Sequence, residues 1–288
     1  MKQTFYERIG EAVCRETLPN GLRINIVPKR DYAKSYAFFA TRYGGMDTRF
    51  CLNGKWLDTP AGIAHYLEHK MFDTKEGNAL QELAKNGAEP NAFTSNAITG
   101  YYFDSTTHFE ENLETLLSFV SVPYFTEESV AKEQGIIGQE IRMIEDNPDW
   151  QLYMGMLRGL YSTSSARTAI AGTVESISHI TVETLYDCHK AFYTPSNMVL
   201  TVVGNVDPIH VVDIARRVLP REGGTQTDCL GKAFDPHELY PPRHPSPRPS
   251  STALLICKYH TDVLNLYPAY FEFCSHRLRI LYLQMFVL

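Results

Sequence analysis

Five prolines, Pro241, Pro242, Pro245, Pro247 and Pro249, fall between Leu239 and Ser251. Each lacks a backbone N–H and has φ fixed near −65°, so no packed helix or central strand runs through such a cluster. It divides the chain. Upstream lie roughly 220 residues, enough for one substantial core, in which strand-like and helix-like patterns alternate. Downstream, the stretch to Leu288 is rich in Leu, Tyr and Phe, has no glycine, and shows neither helix caps nor clean alternation. Residues 1–228 are therefore expected to form the folded domain. Two readings are open for residues 229–288: a proline-rich linker with a docking segment, or the truncated or frame-shifted end of a longer gene. The second is preferred.

Charge and cysteine usage narrow the class. The 33 acids and 27 bases leave a formal charge of −6, so no general basic field favours nucleic acid. No apolar run approaches the ~20 residues of a bilayer span. The N-terminus, Met1-Lys2-Gln3-Thr4-Phe5-Tyr6-Glu7, lacks the apolar stretch of a secretory signal. Six cysteines (Cys14, Cys51, Cys188, Cys229, Cys257, Cys274) include no Cys-x-x-Cys pair and read as reduced, mostly buried thiols. The expectation is a soluble cytoplasmic protein with no nucleic-acid or membrane partner.

The upstream part resolves into elements. Asn20-Gly21 predicts a two-residue hairpin turn, followed by a strand with Leu22, Ile24 and Ile26 on one face. Strand alternation resumes over Ser35 to Ala40. Thr59 as N-cap and Pro60 as first residue predict a helix to about Phe72. A short helix is expected over Ala79 to Lys85, with strands near Asn91 to Thr94 and at Thr99 to Ser105. Leu113, Leu116, Leu117 and Val120 share one face of a helix from Glu110 to Val122. Thr126 caps a long helix to Asn147, ended by Pro148. Val182 to Tyr193 and Pro208 to Leu219 read as helices, and Met198 to Val203 as a near-continuous apolar strand. This alternation predicts an α/β or α+β sandwich.

Chemistry concentrates in His65-Tyr66-Leu67-Glu68-His69. Residues i and i+4 of a helix lie one above the other, so two imidazoles can face one ion, and Glu68 can deprotonate a water held there. This is the H-x-x-E-H order of the inverzincins. The bland alternative is two surface histidines bracketing a solvated glutamate. Support comes from the helix after Thr126. Val130, Ile137, Ile141 and Ile144 mark its apolar face, and Glu133 and Glu140 fall on it too. A carboxylate aimed at a core is costly unless it is paired or binds a cation, although snorkelling or salt-bridged acids remain open. Two His and one Glu leave a fourth position free, as in a catalytic zinc site. His179, His189 and His210 have no partner at ligand spacing and are expected at the surface or satisfied in the core.

The sequence resembles the pitrilysin/insulinase metallopeptidases, which include the mitochondrial processing peptidases. The resemblance rests on Ala61 to Phe72, on Glu133-Gln-Gly-Ile-Ile-Gly-Gln-Glu140, and on Pro195-Ser196-Asn197-Met198 leading to Val203-Gly204-Asn205-Val206-Asp207. It covers roughly residues 10 to 225. It implies an α+β fold with a mixed, mostly antiparallel sheet packed against helices. It also implies one zinc held by His65, His69 and Glu140, with Glu68 as general base and Glu133 as a supporting, non-ligating acid. Asn91, Ala92, Phe93 and Thr94 resemble the strand that pairs with the substrate backbone. Asn91 is open to two roles, aiding the carbonyl oxyanion or capping a turn.

The expected activity is zinc-dependent endopeptidase hydrolysis of extended peptides. Family members enclose substrate between several similar domains, and this chain shows one. The alternatives are a zinc-binding but inactive subunit that needs a second family-like chain or a homodimer, and an interaction domain with a relic site.

Overall fold

The computed structural model describes residues 1–161 and 164–222. The strands are β1 (Lys2–Tyr6), β2 (Glu11–Thr17), β3 (Arg23–Pro28), β4 (Ser35–Thr41), β5 (Arg49–Leu52), β6 (Lys55–Asp58), β7 (Asp73–Thr74), β8 (Gly77–Asn78), β9 (Ala88–Thr94), β10 (Thr99–Ser105) and β11 (Met198–Gly204). The helices are α1 (Ile63–Lys70), α2 (Ala79–Lys85), α3 (Phe109–Ser121), α4 (Glu127–Glu145), α5 (Pro148–Leu160), α6 (Val174–Ile177), α7 (Val182–Phe192) and α8 (Pro208–Val218).

Seven strands form one sheet in the order β1-β2-β3-β11-β4-β10-β9. Only the β3–β11 pair is parallel, and the other pairs are antiparallel. The fold is α+β with a mixed, mostly antiparallel sheet, as the resemblance implied. Register explains the core. Leu200 lies between Ile24 and Phe39, and Val202 between Ile26 and Ala37, all essentially sealed from solvent. Period-2 alternation sends those side chains to one face, where Leu113, Leu116, Leu117 and Val120 of α3 and Leu185 of α7 complete the core. The opposite face is half-exposed and aromatic, with Phe38 stacked on Phe93 and Tyr36 against Tyr102.

Three expectations need correction. The hairpin between β2 and β3 closes through a three-residue loop, with Leu18 N–H bonded to the Leu22 carbonyl at 2.9 Å. A two-residue type I′ turn needs positive φ at both central residues, but only Gly21 has it (φ 88°). Asn20 instead donates its amide to the Pro220 carbonyl at 2.8 Å. Next, α1 starts at Ile63, four residues past Thr59. Thr59 spends its N–H and hydroxyl on the Thr48 carbonyl, beyond the end of the β5–β6 hairpin. Finally, the helix from Thr126 ends at Glu145. Asn147 then caps a further helix, its Oδ1 accepting from Asp149 and Trp150 N–H, with Pro148 at the first position.

Other signals held. Thr126 caps α4 in a reciprocal pair with Ser129. Cys14, Cys51 and Cys188 are buried free thiols. The expectations for Cys229, Cys257, Cys274 and for 229–288 lie outside the described residues. No helix among those described is long and apolar enough to cross a membrane.

Candidate metal centre

Helix α1 is eight residues long and turns Ile63, Tyr66 and Leu67 into the core. That fixes the remaining face, which carries His65 and His69 with ring centroids 4.6 Å apart. The Tyr66 hydroxyl donates to the Val130 carbonyl and so ties α1 to α4. On α4, Val130, Ile137 and Ile141 are buried, and the same face delivers Glu133 and Glu140 beside the imidazoles.

Glu140 lies between the two rings. Its Oε1 is 3.5 Å from His65 Nε2 and its Oε2 is 3.6 Å from His69 Nε2. Donor atoms of His65, His69 and Glu140 all fall within 4.8 Å of one another. Ligands ~2.0–2.2 Å from a tetrahedral ion sit about 3.3–3.6 Å apart; the two Glu140–imidazole separations match that spacing, and the set as a whole is one that could hold a metal ion. The carboxylate of Glu133 is 2.9 Å from His69 Nδ1. That contact places the Nδ1 proton on the Glu133 side and leaves the Nε2 lone pair facing Glu140. His65 lacks such support, since its buried Nδ1 has no hydrogen-bond partner among the described residues.

The charges are coupled. The His69 hydrogen bond holds Glu133 below its ordinary pKa, against the opposing effect of burial. The His65 contact does the same for Glu140. Burial alone would depress His69, but the Glu133 hydrogen bond and the nearby carboxylates of Glu68, Glu133 and Glu140 raise it.

Glu68 is not one of the three donors, but its carboxylate is close enough to act on His69. It is 7% exposed, and its Oε2 accepts the Thr94 hydroxyl at 2.6 Å. Thr94 ends β9, an edge strand of the sheet. Ala92 and Thr94 alternate toward the helices, whereas Asn91 and Phe93 are exposed on the other face. Asn91 Oδ1 accepts the Ala92 N–H at 2.8 Å. The structure therefore brings together His65, His69, Glu140, Glu133, Glu68 and Thr94, but not the side chains of Asn91 and Phe93. Beside this group opens a cleft of about 500 Å³ lined by His65, Thr94, Glu140, Trp150 and Met154, among others. Trp150 and Met154 belong to α5, which sequence reasoning missed although Asn147-Pro148 is also a helix-start signal. The remaining histidines behave as expected where described: His189 is buried against the Val120 carbonyl, and exposed His210 pairs with Glu110.

The family pattern described as Insulinase (Peptidase family M16) matches residues 54–174. A second, described as Peptidase M16 inactive domain, matches 179–264. A Bacillus subtilis (strain 168) protein named "Uncharacterized zinc protease YmfH" is 50% identical over 75% of this chain and 51% of its own length. A probable mitochondrial-processing peptidase subunit beta of Arabidopsis thaliana is 26% identical over 71% of this chain and 38% of its own. A solved chain from Alicyclobacillus acidocaldarius, described as an M16-like peptidase, superposes with a TM-score of 0.70. It is 42% identical, over 72% of this chain and 49% of that one. The chain thus spans about half the length of such relatives. Two adjoining family matches, this likeness of fold and the His65-x-x-Glu68-His69 segment within the first match make the chain a member of the insulinase (M16) peptidase family.

Proposed function

We propose that this chain is the metal-holding part of a zinc metalloendopeptidase that hydrolyses peptide bonds in extended peptides. The observation that carries the reading is the Glu140 carboxylate set between two imidazole Nε2 atoms, with buried Glu68 beside them. The zinc protease naming of the Bacillus relative supports it. His65, His69 and Glu140 would hold one zinc ion. Zinc bound there lowers the pKa of a water toward ~7 and polarises a carbonyl. Glu68 has one oxygen engaged by Thr94; the other takes the attacking water's proton and passes it to the leaving amine nitrogen. Glu133 keeps His69 oriented through Nδ1. Strand β9 offers main-chain N–H and C=O groups along an open edge, a mode that binds extended peptides with weak sequence selectivity.

Metal analysis and peptide cleavage test this together. Glu68→Gln should keep zinc and abolish cleavage, because an amide cannot accept the proton. A His65→Ala/His69→Ala double variant should lose the metal. Undiminished turnover in the first variant, or full zinc in the second, refutes the assignment.

One observation favours a second reading. Because the chain covers about half of its relatives, it can be a zinc-binding subunit that cleaves only when a second family-like chain closes over the cleft. Cleavage that appears only on adding such a chain, at unchanged zinc content, would select this reading.

A further inference from the structure

We infer that Thr94 is a positioning residue for Glu68. The inference rests on the proposed role of Glu68 as base and assigns to the edge strand a task separate from pairing with a peptide backbone.

The geometry points from strand to base. A buried carboxylate on a three-torsion side chain has several ways to lie, and one of its oxygens must stay free to receive a proton. The Thr94 hydroxyl fixes one oxygen, Oε2, by an O–H···O contact of 2.6 Å, within the range of charge-assisted bonds. No bond to Oε1 is present among the described residues. The donor is itself held. Thr94 is β-branched, so its hydroxyl has few directions available. Its cross-strand partner is Thr99, fully buried, whose hydroxyl donates to the Tyr43 carbonyl at 2.9 Å. That leaves the Thr99 oxygen 3.4 Å from Thr94 Oγ1. One residue on, Ser95 N–H closes the β9–β10 turn on the Ile98 carbonyl at 2.8 Å, and Gly45 N–H bonds the Ser95 carbonyl at 2.9 Å. Glu68 comes from α1, while its orienting donor comes from a separately braced turn.

A merely structural hydroxyl would satisfy a buried carboxylate without affecting turnover, and a peptide-docking residue would act on KM. Positioning acts on kcat and on the carboxylate itself. The test uses the full chain with zinc, labelled with 13C at the glutamate side-chain carboxyl, and with any second chain that cleavage requires. The Glu68 resonance is identified by its loss in Glu68→Gln. Thr94→Val should displace or broaden that resonance and lower kcat by roughly 10- to 100-fold, the scale of small misplacements. KM should stay within about twofold and zinc content unchanged, again because only alignment is lost. Thr94→Ser should restore both readouts, and Thr94→Ala serves if the valine variant folds poorly.

A wild-type resonance in both the valine and alanine variants overturns the inference, whether or not the protein cleaves peptide. So does a change confined to KM. If instead Glu68→Gln retains turnover, the reading of Glu68 as base fails, while the resonance still reports whether Thr94 holds it.

Discussion

Acidification should expose a hidden opposition between two buried groups. His189 on α7 is 7% exposed, stacks on Tyr193 at 4.9 Å, and in its neutral form donates from Nε2 to the Val120 carbonyl at 3.1 Å. Burial pushes its pKa from 6.5 down to about 4, against the pull of that carbonyl. A depressed histidine is stabilising when neutral. The unfolded chain takes up a proton below about pH 6.5 and the fold does not, so stability is lost as pH falls from 6.5 and levels off near 4. The full span is worth about 3 kcal/mol, of which about 2 kcal/mol is lost by pH 5. Asp47 works the other way. Burial raises its carboxyl from 3.8 to about 6, despite the Gly44 N–H at 2.8 Å and the charge of Arg42. Its ionisation costs the fold about 3 kcal/mol above pH 6, and this is recovered on acidification toward 3.8. The two arms nearly cancel. His189→Gln removes one while keeping an amide able to reach Val120. Relative to the parent, the variant should gain about 2 kcal/mol between pH 7 and pH 5. Urea unfolding of metal-free protein followed by circular dichroism measures this, and groups common to both proteins drop out of the difference. A stability difference that is the same at pH 7 and pH 5 would refute the assignment of a neutral, proton-refusing His189.

Three further outcomes are expected. Asp47→Asn should stabilise the fold by about 3 kcal/mol at pH 7, with the advantage vanishing near pH 4, because the amide oxygen still accepts Gly44 N–H without a charge; the same urea titration reads it. Glu133→Gln should weaken zinc by roughly 10- to 100-fold while leaving all three donors in place, since the amide orients His69 less well; competition with a chelator measures it. Gly62→Ala should cost at least about 2 kcal/mol in thermal unfolding. Gly62 has φ 94°, and a Cβ there would lie 2.5 Å from the Ala171 carbonyl oxygen. Zinc content should fall with it although no donor is touched; unchanged stability and zinc would show that the start of α1 tolerates a side chain.

Local physics made much of this fold legible. Helices α1 and α4 declare themselves because apolar spacing and the His and Glu positions obey one period, and the Thr126 cap lies in contiguous sequence. Strand β11 shows as an apolar run because it is central. Strand β1 does not, because it is mostly exposed and carries no alternation of burial. Strand β9 starts three residues earlier than expected, and it contains Pro90, whose missing N–H is tolerated on an edge. The hairpin loop was misread because Asn20 bonds a carbonyl 200 residues away. Helical spacing made the two imidazoles and a face bearing both Glu133 and Glu140 legible, but the choice of Glu140 over Glu133 as a donor came only from the family resemblance. The Thr94–Glu68 contact was not legible, since it joins a strand end to a helix face and leaves no periodic trace.

The place of β11 has a consequence for synthesis. Strands β3 and β4 follow one another in sequence but never pair, because β11 is inserted between them. The first three strands form one ribbon and β4, β10 and β9 another, and the element that welds them begins at Met198, 170 residues after β3 ends at Pro28. At about 5–20 residues per second, a ribosome needs about 10–30 s to supply it. From the completion of β10 at Ser105 until β11 arrives, the nascent chain carries two ribbons whose facing edges, on β3 and β4, are unsatisfied and able to pair with a neighbouring chain. Among the described strands, the last one made is thus the one that joins the two sides of the sheet.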